Sequence, residues 1–304
     1  MRHELEQAIN ELGKIIVGKQ AALTKLLIAV LADGHVLLDD VPGVGKTTLA
    51  TAIAKVLGLR PRRIQFTPDV LPSDIVGFSV YSKETGGLTY MPGIVCDANI
   101  LLADEINRTS SKTQSALLEA MEERQVTVDG TSHPLQQPFI VIATQNNVGT
   151  TGTQLLPFAQ LDRFLMRLSI GYPDLDSQMA IIRDRHNTNP LDNARQVLSL
   201  DDVRRMQAEV QATTMKDSVI AYIARLAHQS RVDERVELGI SPRGALYIAR
   251  AAKALAYLQG RDFVTPADVR DVIMDVCEHR LILRPQVKAV QVIETLLQTV
   301  PIPQ

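Results

Sequence analysis

An apolar segment, a turn with two glycines and a helical pattern follow one another directly. This succession restricts the fold more than any other feature of the chain. The apolar segment is HVLLDD (35–40), and the residues from 40 to 47 match the phosphate-binding pattern G-x-x-x-x-G-K-[ST] except that Asp40 stands at its first glycine. Gly43 and Gly45 let successive backbone N–H groups face an anion. The segment therefore predicts a strand, a phosphate-binding loop and a helix.

The residues of this loop have separate predicted roles in holding a nucleotide. Lys46 can reach the outer phosphates, and the Thr47 hydroxyl can bind Mg²⁺. The predicted nucleotide-binding residues of the loop are Gly43, Val44, Gly45, Lys46, Thr47 and Thr48. A glycine-rich turn without a ligand is the alternative, and the strand and helix on either side disfavour it.

A second apolar segment ends in two adjacent carboxylates. It reads ILLADEINR (100–108) and is typical of a Walker B strand. Asp104 is predicted to hold the Mg²⁺ shell, and Glu105 is predicted to orient and activate water for attack on the γ-phosphate. Acidic residues that only cap a strand end are the alternative, and the nearby phosphate loop makes it the weaker one.

A third apolar segment, FIVIATQNN (139–147), also has polar residues at its carboxyl end. In parallel sheets ligands sit beyond the carboxyl ends of the strands. Asn146 is therefore predicted to hydrogen-bond the γ-phosphate or the attacking water. An asparagine that only satisfies loop backbone is the alternative.

Two arginines are candidates for contact with a phosphate. Arg163, in AQLDRFL (159–165), is expected on a short helical segment before the last strand, where it could complete the site of a neighbouring subunit. Arg243, in SPRGA (241–245), falls in the first turn of a helix, where a cation is disfavoured unless it faces an external anion. A surface salt bridge for Arg163 and a solvated side chain for Arg243 remain as alternatives.

The chain divides into two regions of different pattern. Up to about residue 173 strand-like segments alternate with helical ones, which predicts a wound α/β domain over 1–173. Beyond it only helical patterns are apparent, which predicts an all-α domain over 174–304. Two hairpins are expected within the first domain, at about 77–93 and at 124–135 around Asp129-Gly130. The predicted strands are 35–40, 63–67, 99–105, 139–146 and 166–171.

Composition narrows the class of protein. The 304 residues carry a net charge of −2, so no global basic field attracts nucleic acid. The two cysteines are far apart in the chain, which argues against a disulfide scaffold and a thiolate metal site. Because no apolar run approaches the roughly 20 residues that span a bilayer, we expect no membrane segment and a cytoplasmic protein.

The order of these parts resembles that of an AAA+ ATPase, namely Walker A, Walker B, sensor 1, arginine finger and sensor 2. In detail the chain resembles the MoxR family over nearly its whole length. The segments that carry the resemblance are DDVPGVGKTTLA, TPDVLPSDIVGF, GIVCDANILLADEINRTSSKTQSALLEAMEERQVTVDG, FIVIATQN, LPFAQLDRFLM and SPRGAL. An acidic pair in place of the first loop glycine is usual in this family.

The resemblance implies an αβα P-loop core with a helical lid, ATP and Mg²⁺ as cofactors, and assembly into a homo-oligomeric ring, expected to be a hexamer. The hairpins would face the pore or the partner, and Ile16, Val17 and Gly18 would contact adenine. It also implies chaperone-like action on a protein client, with a separate von Willebrand A-type protein as a partner. After Asn146 the chain departs from the usual family loop, since it reads NVGTTGTQLL.

The sequence leaves three functions open. The first is an oligomeric ATPase that remodels a protein partner, in complex assembly or metal insertion. The second is a motor on nucleic acid, disfavoured because the hairpin 124–135 offers only Arg124 as a cation and carries Asp129 at its tip. The third is a weakly hydrolysing nucleotide switch or scaffold, disfavoured because Lys46, Glu105 and the rest of the predicted catalytic set are present.

Overall fold

The computed structural model describes residues 1–39, 43–83, 86–145, 156–184 and 190–303. The strands are β1 (Val36–Asp39), β2 (Pro61–Gln65), β3 (Gly77–Ser82), β4 (Gly87–Pro92), β5 (Ile100–Asp104), β6 (Gln125–Val128), β7 (Thr131–Pro134), β8 (Ile140–Gln145), β9 (Met166–Leu168), β10 (Val236–Leu238) and β11 (Ile282–Leu283). The helices are α1 (His3–Ile15), α2 (Gln20–Leu31), α3 (Lys46–Val56), α4 (Pro72–Val76), α5 (Ser111–Glu123), α6 (Phe158–Leu161), α7 (Leu175–Asp184), α8 (Leu200–Ala212), α9 (Asp217–Val232), α10 (Pro242–Leu258), α11 (Pro266–Cys277) and α12 (Ala289–Thr299).

A five-stranded parallel sheet in the order β2-β5-β8-β1-β9 forms the centre of the fold. Strands β5 and β8 are buried along their whole length, as expected for strands covered by helices on both faces. The register pairs Asp39 with Gln145 and Gln65 with Asp104, so four polar residues end their strands at one edge of the sheet. The predicted parallel sheet is confirmed.

The edge strand β2 lies two residues before its predicted position. It runs from Pro61 to Gln65, whereas the apolar pattern predicted residues 63–67. Most of β2 is exposed, so its residues need no apolar pattern, and a proline is tolerated at the first position of an edge strand. The shift places Gln65, rather than Thr67, at the carboxyl end.

Both predicted hairpins are present, and they pack against each other. Strands β3 and β4 form one antiparallel pair, and β6 and β7 form the other. Asp129 and Gly130 have φ values of 49° and 78°, as the tight turn between β6 and β7 requires. The rings of Tyr90 and His133 stack with their centroids 3.9 Å apart, which joins the two hairpins.

Helices predominate among the described residues after 174. The short strands β10 and β11 pair in antiparallel fashion, although no strand was expected there. Helix α10 is capped at its start, since the Ser241 hydroxyl accepts a hydrogen bond from the N–H of Gly244 and Pro242 is the first helical residue. Ile248 on α10 and Leu23 on α2 belong to one apolar core, so a domain boundary at residue 173 stays a prediction.

No helix in the described part of the chain is both long enough and apolar enough to cross a membrane.

Candidate active site

The predicted phosphate loop joins the end of β1 to the start of α3. Gly43 and Gly45 have φ values of 86° and 90°, in the left-handed region that favours glycine. Apart from each glycine's own chain neighbours, no described atom lies within 4 Å of where its Cβ would stand. The positive φ values, and not crowding, therefore favour glycine at these two positions. Helix α3 begins at Lys46, and the N-terminus of a helix is a favourable place for an anion. Asp40 lies outside the described residues.

A cavity of about 330 Å³ opens at this edge of the sheet and brings the predicted Walker residues together. Its lining residues are Gly43, Gly45, Lys46, Thr47, Thr48, Gln65, Asp104, Glu105, Thr144 and Gln145. Thr47 and Asp104 supply a hydroxyl and a carboxylate oxygen, which are ligands that suit Mg²⁺ beside a phosphate. The residues present therefore fit the expected metal. Asn146, predicted to act here, lies outside the described residues.

Asp104 is held by hydrogen bonds from two neighbouring strands. Its Oδ1 accepts a hydrogen bond of 3.1 Å from the Thr144 hydroxyl, and its Oδ2 accepts one of 2.9 Å from Nε of Arg63. Only 10% of the Asp104 side chain is exposed. The carboxylate therefore has a fixed orientation toward the cavity that Thr47 also lines.

Glu105 directly follows β5 in a left-handed conformation, with a φ of 54°. Its N–H donates to the Thr144 hydroxyl at 2.9 Å, which holds this unusual backbone. Its Oε2 accepts hydrogen bonds of 3.0 Å from the Gln65 amide and 2.7 Å from the Arg108 guanidinium. Oε1 accepts none from the described residues, which leaves one oxygen of the carboxylate for water.

Four residues of the site were not predicted from the sequence, namely Gln65, Thr144, Arg63 and Arg108. Gln65 could have been predicted from its position at the carboxyl end of a strand, but the predicted bounds of β2 placed Thr67 there instead. Thr144 stands on β8 just before the expected polar residues and was assigned to the apolar strand.

A second cavity, of about 220 Å³, borders the other side of the phosphate loop. Val17 lines it together with Gly43, Val44 and Tyr172, as an adenine contact would require. Gly18 is not among its lining residues. A Cβ on Gly18 would lie 2.1 Å from Oγ of Ser177, so the close approach that this glycine permits is to α7.

Arg163 and Arg243 lie together on a third cavity, of about 570 Å³, and line neither of the first two. Arg163 comes two residues after α6 ends, not within a helical segment as expected. Arg243 is in the first turn of α10, as predicted. Both pair with Glu122, through Nε of Arg163 at 3.6 Å and a terminal nitrogen of Arg243 at 2.5 Å. The salt bridge that remained open for Arg163 is therefore present, and Arg243 has a counterion.

Comparison with known proteins agrees with this geometry. Residues 35–166 match the family described as ATPase family associated with various cellular activities (AAA), and residues 228–299 match an AAA lid domain. A crystal structure of a protein from Cytophaga hutchinsonii is 38% identical, with a TM-score of 0.92, and the match covers 100% of this chain and 96% of that one.

Three relatives share most of their length with this chain. Chaperone MoxR1 of Mycobacterium tuberculosis is 42% identical over 99% of this chain and 83% of its own. Protein MoxR of Methylorubrum extorquens is 32% identical over 97% and 94%, and protein YeaC of Bacillus subtilis is 44% identical over 98% and 95%. The chain belongs to the MoxR family of AAA+ ATPases.

Proposed function

We propose that this ATPase works as a Mg²⁺-dependent homo-oligomer, expected to be a hexameric ring, in which each ATP site is completed by a second copy of the chain. The observation that carries the proposal is the position of Arg163 and Arg243. Both line a cavity separate from the phosphate loop of their own chain. Arginines that do not line the nucleotide site of their own chain can be supplied in trans, where an arginine stabilises the charge that develops in phosphoryl transfer.

The residues of one chain have the following proposed roles. Lys46 and the loop N–H groups bind the outer phosphates, while Thr47 and Asp104 would hold Mg²⁺. The metal supplies charge neutralisation on the phosphate oxygens. Val17 contacts the base, and Asn146 positions the attacking water.

Glu105 is the proposed general base. Gln65 and Arg108 hold its Oε2, so its Oε1 can accept a proton from water. Arg163 and Arg243 of the neighbouring copy offset the charge that develops on the γ-phosphate.

The two packed hairpins are the proposed contact surface for a protein client. Exposed large apolar side chains in a contiguous patch mark sites of interaction. On β3 and β4 the exposed large apolar side chains are Phe78, Val80, Tyr81, Leu88 and Met91, and the strand register pairs Phe78 with Met91 and Tyr81 with Leu88. The guanidinium of Arg124, the cation of the other hairpin, donates to the carbonyl oxygen of Asp33 at 2.9 Å and is not at the hairpin tip. These features favour a protein over nucleic acid.

The class of client is proposed from the family. The name of the relative chaperone MoxR1 supports a chaperone-like role. We propose that this role serves complex assembly or metal insertion. A separate von Willebrand A-type protein is the partner we expect to deliver or hold the client.

A weakly hydrolysing nucleotide switch is the second candidate function. The hydrogen bonds from Gln65 and Arg108 to one oxygen of Glu105 favour this candidate, because they limit how far the carboxylate can move toward an attacking water. The two candidates differ in how the rate depends on assembly.

The test is ATP hydrolysis per subunit over a dilution series, repeated with Arg163→Ala mixed into the wild type. We expect specific activity to rise with concentration and the variant to reduce it by more than its share. A flat concentration dependence, with simple averaging in the mixture, would argue for sites that work alone.

A further inference from the structure

Arg163 and Arg243 reach the same carboxylate from two different parts of the chain. We propose that Glu122, the last residue but one of α5, is a positioning residue for ATP hydrolysis. It holds the two guanidinium groups as a pair and so presents them together to the γ-phosphate of a neighbouring copy. This inference rests on the proposed function, in which the site is shared between copies.

The backbone segments that carry the two arginines are already joined. The Ser241 hydroxyl, at the start of α10, lies 3.1 and 3.2 Å from the two carboxylate oxygens of Asp162. Nε of the fully buried Arg280 donates to the same carboxylate at 2.9 Å. Arg163 follows Asp162 directly, and Arg243 follows Ser241 by two residues. The two segments are therefore fixed side by side, and only the ends of the arginine side chains remain to be placed.

Glu122 provides the counterion that places those ends. Its Oε1 accepts from Arg243 at 2.5 Å, and its Oε2 lies 3.6 Å from Nε of Arg163. The other carboxylate of this cavity, Asp33, is engaged by Arg124 at 3.2 Å. Within the described ranges, no acidic side chain besides Glu122 pairs with either Arg163 or Arg243.

The surrounding charge makes this counterion necessary. Arg124, Arg250 and Lys253 line the same cavity, so five cations face two carboxylates. Without Glu122 the guanidinium groups of Arg163 and Arg243 would repel each other and be repelled by these neighbours. The pair would then separate into solvent, where long side chains gain conformational freedom.

The contacts with Glu122 leave donors for a phosphate. A guanidinium has five N–H donors, and Glu122 engages one nitrogen of each arginine. The two terminal nitrogens of Arg163 make no hydrogen bond to the described residues. About a third of each arginine side chain is exposed, 32% for Arg163 and 36% for Arg243. Phosphate oxygens can therefore bind while Glu122 stays in place behind the pair.

The first experiment measures kcat for ATP hydrolysis and the affinity for ATP in the assembled full-length protein. In Glu122→Ala and Glu122→Gln we expect kcat to fall about 10- to 100-fold, the range for a misplaced rather than a missing group. The affinity for ATP should stay within about two-fold, because the phosphate loop of the same chain is unaltered.

Two further variants serve as controls. Glu122→Asp keeps the charge and should recover part of the lost activity. Glu123→Gln removes the adjacent exposed carboxylate, which has no ion pair with the described residues, and should hydrolyse ATP like the wild type. Melting temperatures of all four variants report whether the fold is intact.

The decisive step mixes Glu122→Ala, or Glu122→Gln should the former fail to fold, with Glu105→Gln. The Glu105→Gln copy has an unaltered arginine pair and can complete the intact site of its neighbour, so hydrolysis should recover. Wild-type kcat in both Glu122 variants, or a loss that mixing does not restore, would overturn the inference.

Mixing Arg163→Ala with Glu105→Gln distinguishes a failure of the role of Glu122 from a failure of the shared site. If that mixture recovers activity and the Glu122 mixture does not, the positioning role of Glu122 fails alone. If neither mixture recovers, the shared site itself fails.

Discussion

Thr144 on β8 donates a hydrogen bond of 3.1 Å from its hydroxyl to the carboxylate of Asp104 on the neighbouring strand β5. The same hydroxyl accepts a hydrogen bond of 2.9 Å from the N–H of Glu105. One buried side chain therefore orients the proposed metal ligand and supports the left-handed backbone of the proposed base. Asp104 is therefore placed by contacts from neighbouring strands, and Glu105 is placed both from the adjacent strand and by its own sequence neighbour Arg108.

Replacing Thr144 by valine should damage both stability and hydrolysis. Valine has nearly the same shape but leaves the N–H of Glu105 without its partner, which costs roughly 1–3 kcal/mol of unfolding free energy. We expect kcat to fall by more than the affinity for ATP, because Glu105 loses its fixed position. Thr144→Ser keeps the hydroxyl and is the matched control. Urea unfolding and steady-state ATPase assays check both effects, and a Thr144→Val protein with wild-type values would refute this role.

The local parts of the site could be predicted from the sequence, and the parts made by distant contacts could not. The roles of Lys46, Thr47 and Asp104 could be predicted because each depends on a short segment of sequence, either the phosphate-loop pattern or the carboxyl end of an apolar strand. Glu122 and Thr144 act on residues about 40 positions away or more, and no periodicity reveals such contacts. The predicted bounds of β2 were two residues too late, because an exposed edge strand lacks the apolar pattern on which that prediction depended.

Glu105→Gln should bind ATP and hydrolyse it slowly. Glutamine retains the shape and can still pair with Gln65, but it does not accept a proton from water. We expect kcat to fall about 10²–10⁴-fold, the usual contribution of a general base. Equilibrium binding of labelled ATP and single-turnover hydrolysis separate the two steps. Near-normal turnover would remove Glu105 from this role, while lost binding would mean that it mainly shapes the site.

Gly18→Ala should destabilise the fold by more than an alanine at another glycine of similar backbone. Gly260 also has a positive φ, of 89°, but apart from its chain neighbours no described atom lies within 4 Å of its Cβ position. Gly260→Ala should therefore cost about 1–2 kcal/mol from backbone strain alone.

At Gly18, with a φ of 74°, the added methyl group also meets Ser177, which should cost about 1–3 kcal/mol more. Thermal unfolding of both variants measures the difference. Equal losses would mean that the contact with Ser177 is not restrictive.

Stability should decrease as the pH falls below the ordinary pKa of histidine. Burial lowers the pKa of His35 and of His279 well below 6.5, with nearby arginines adding to the effect. Both are neutral in the folded chain, so the unfolded chain binds more protons once the pH drops below about 6.5. The free energy of unfolding should then fall by up to about 1.4 kcal/mol per pH unit for each histidine.

Urea unfolding between about pH 7.5 and pH 5.5 tests this dependence. His35→Gln should reduce the slope, whereas a variant of the exposed His3 should leave it unchanged. A slope that His35→Gln does not alter would contradict the assignment to this residue.

The shared site is tested most directly by mixing two inactive variants, Arg163→Ala and Glu105→Gln, and measuring ATP hydrolysis. The first keeps an intact base and lacks the arginine that it would supply to a neighbour, while the second keeps the arginine and lacks the base. We expect each variant alone to be nearly inactive and the mixture to hydrolyse ATP well above the sum of the two. A mixture no more active than that sum, although the copies assemble together, would contradict a site built from two chains.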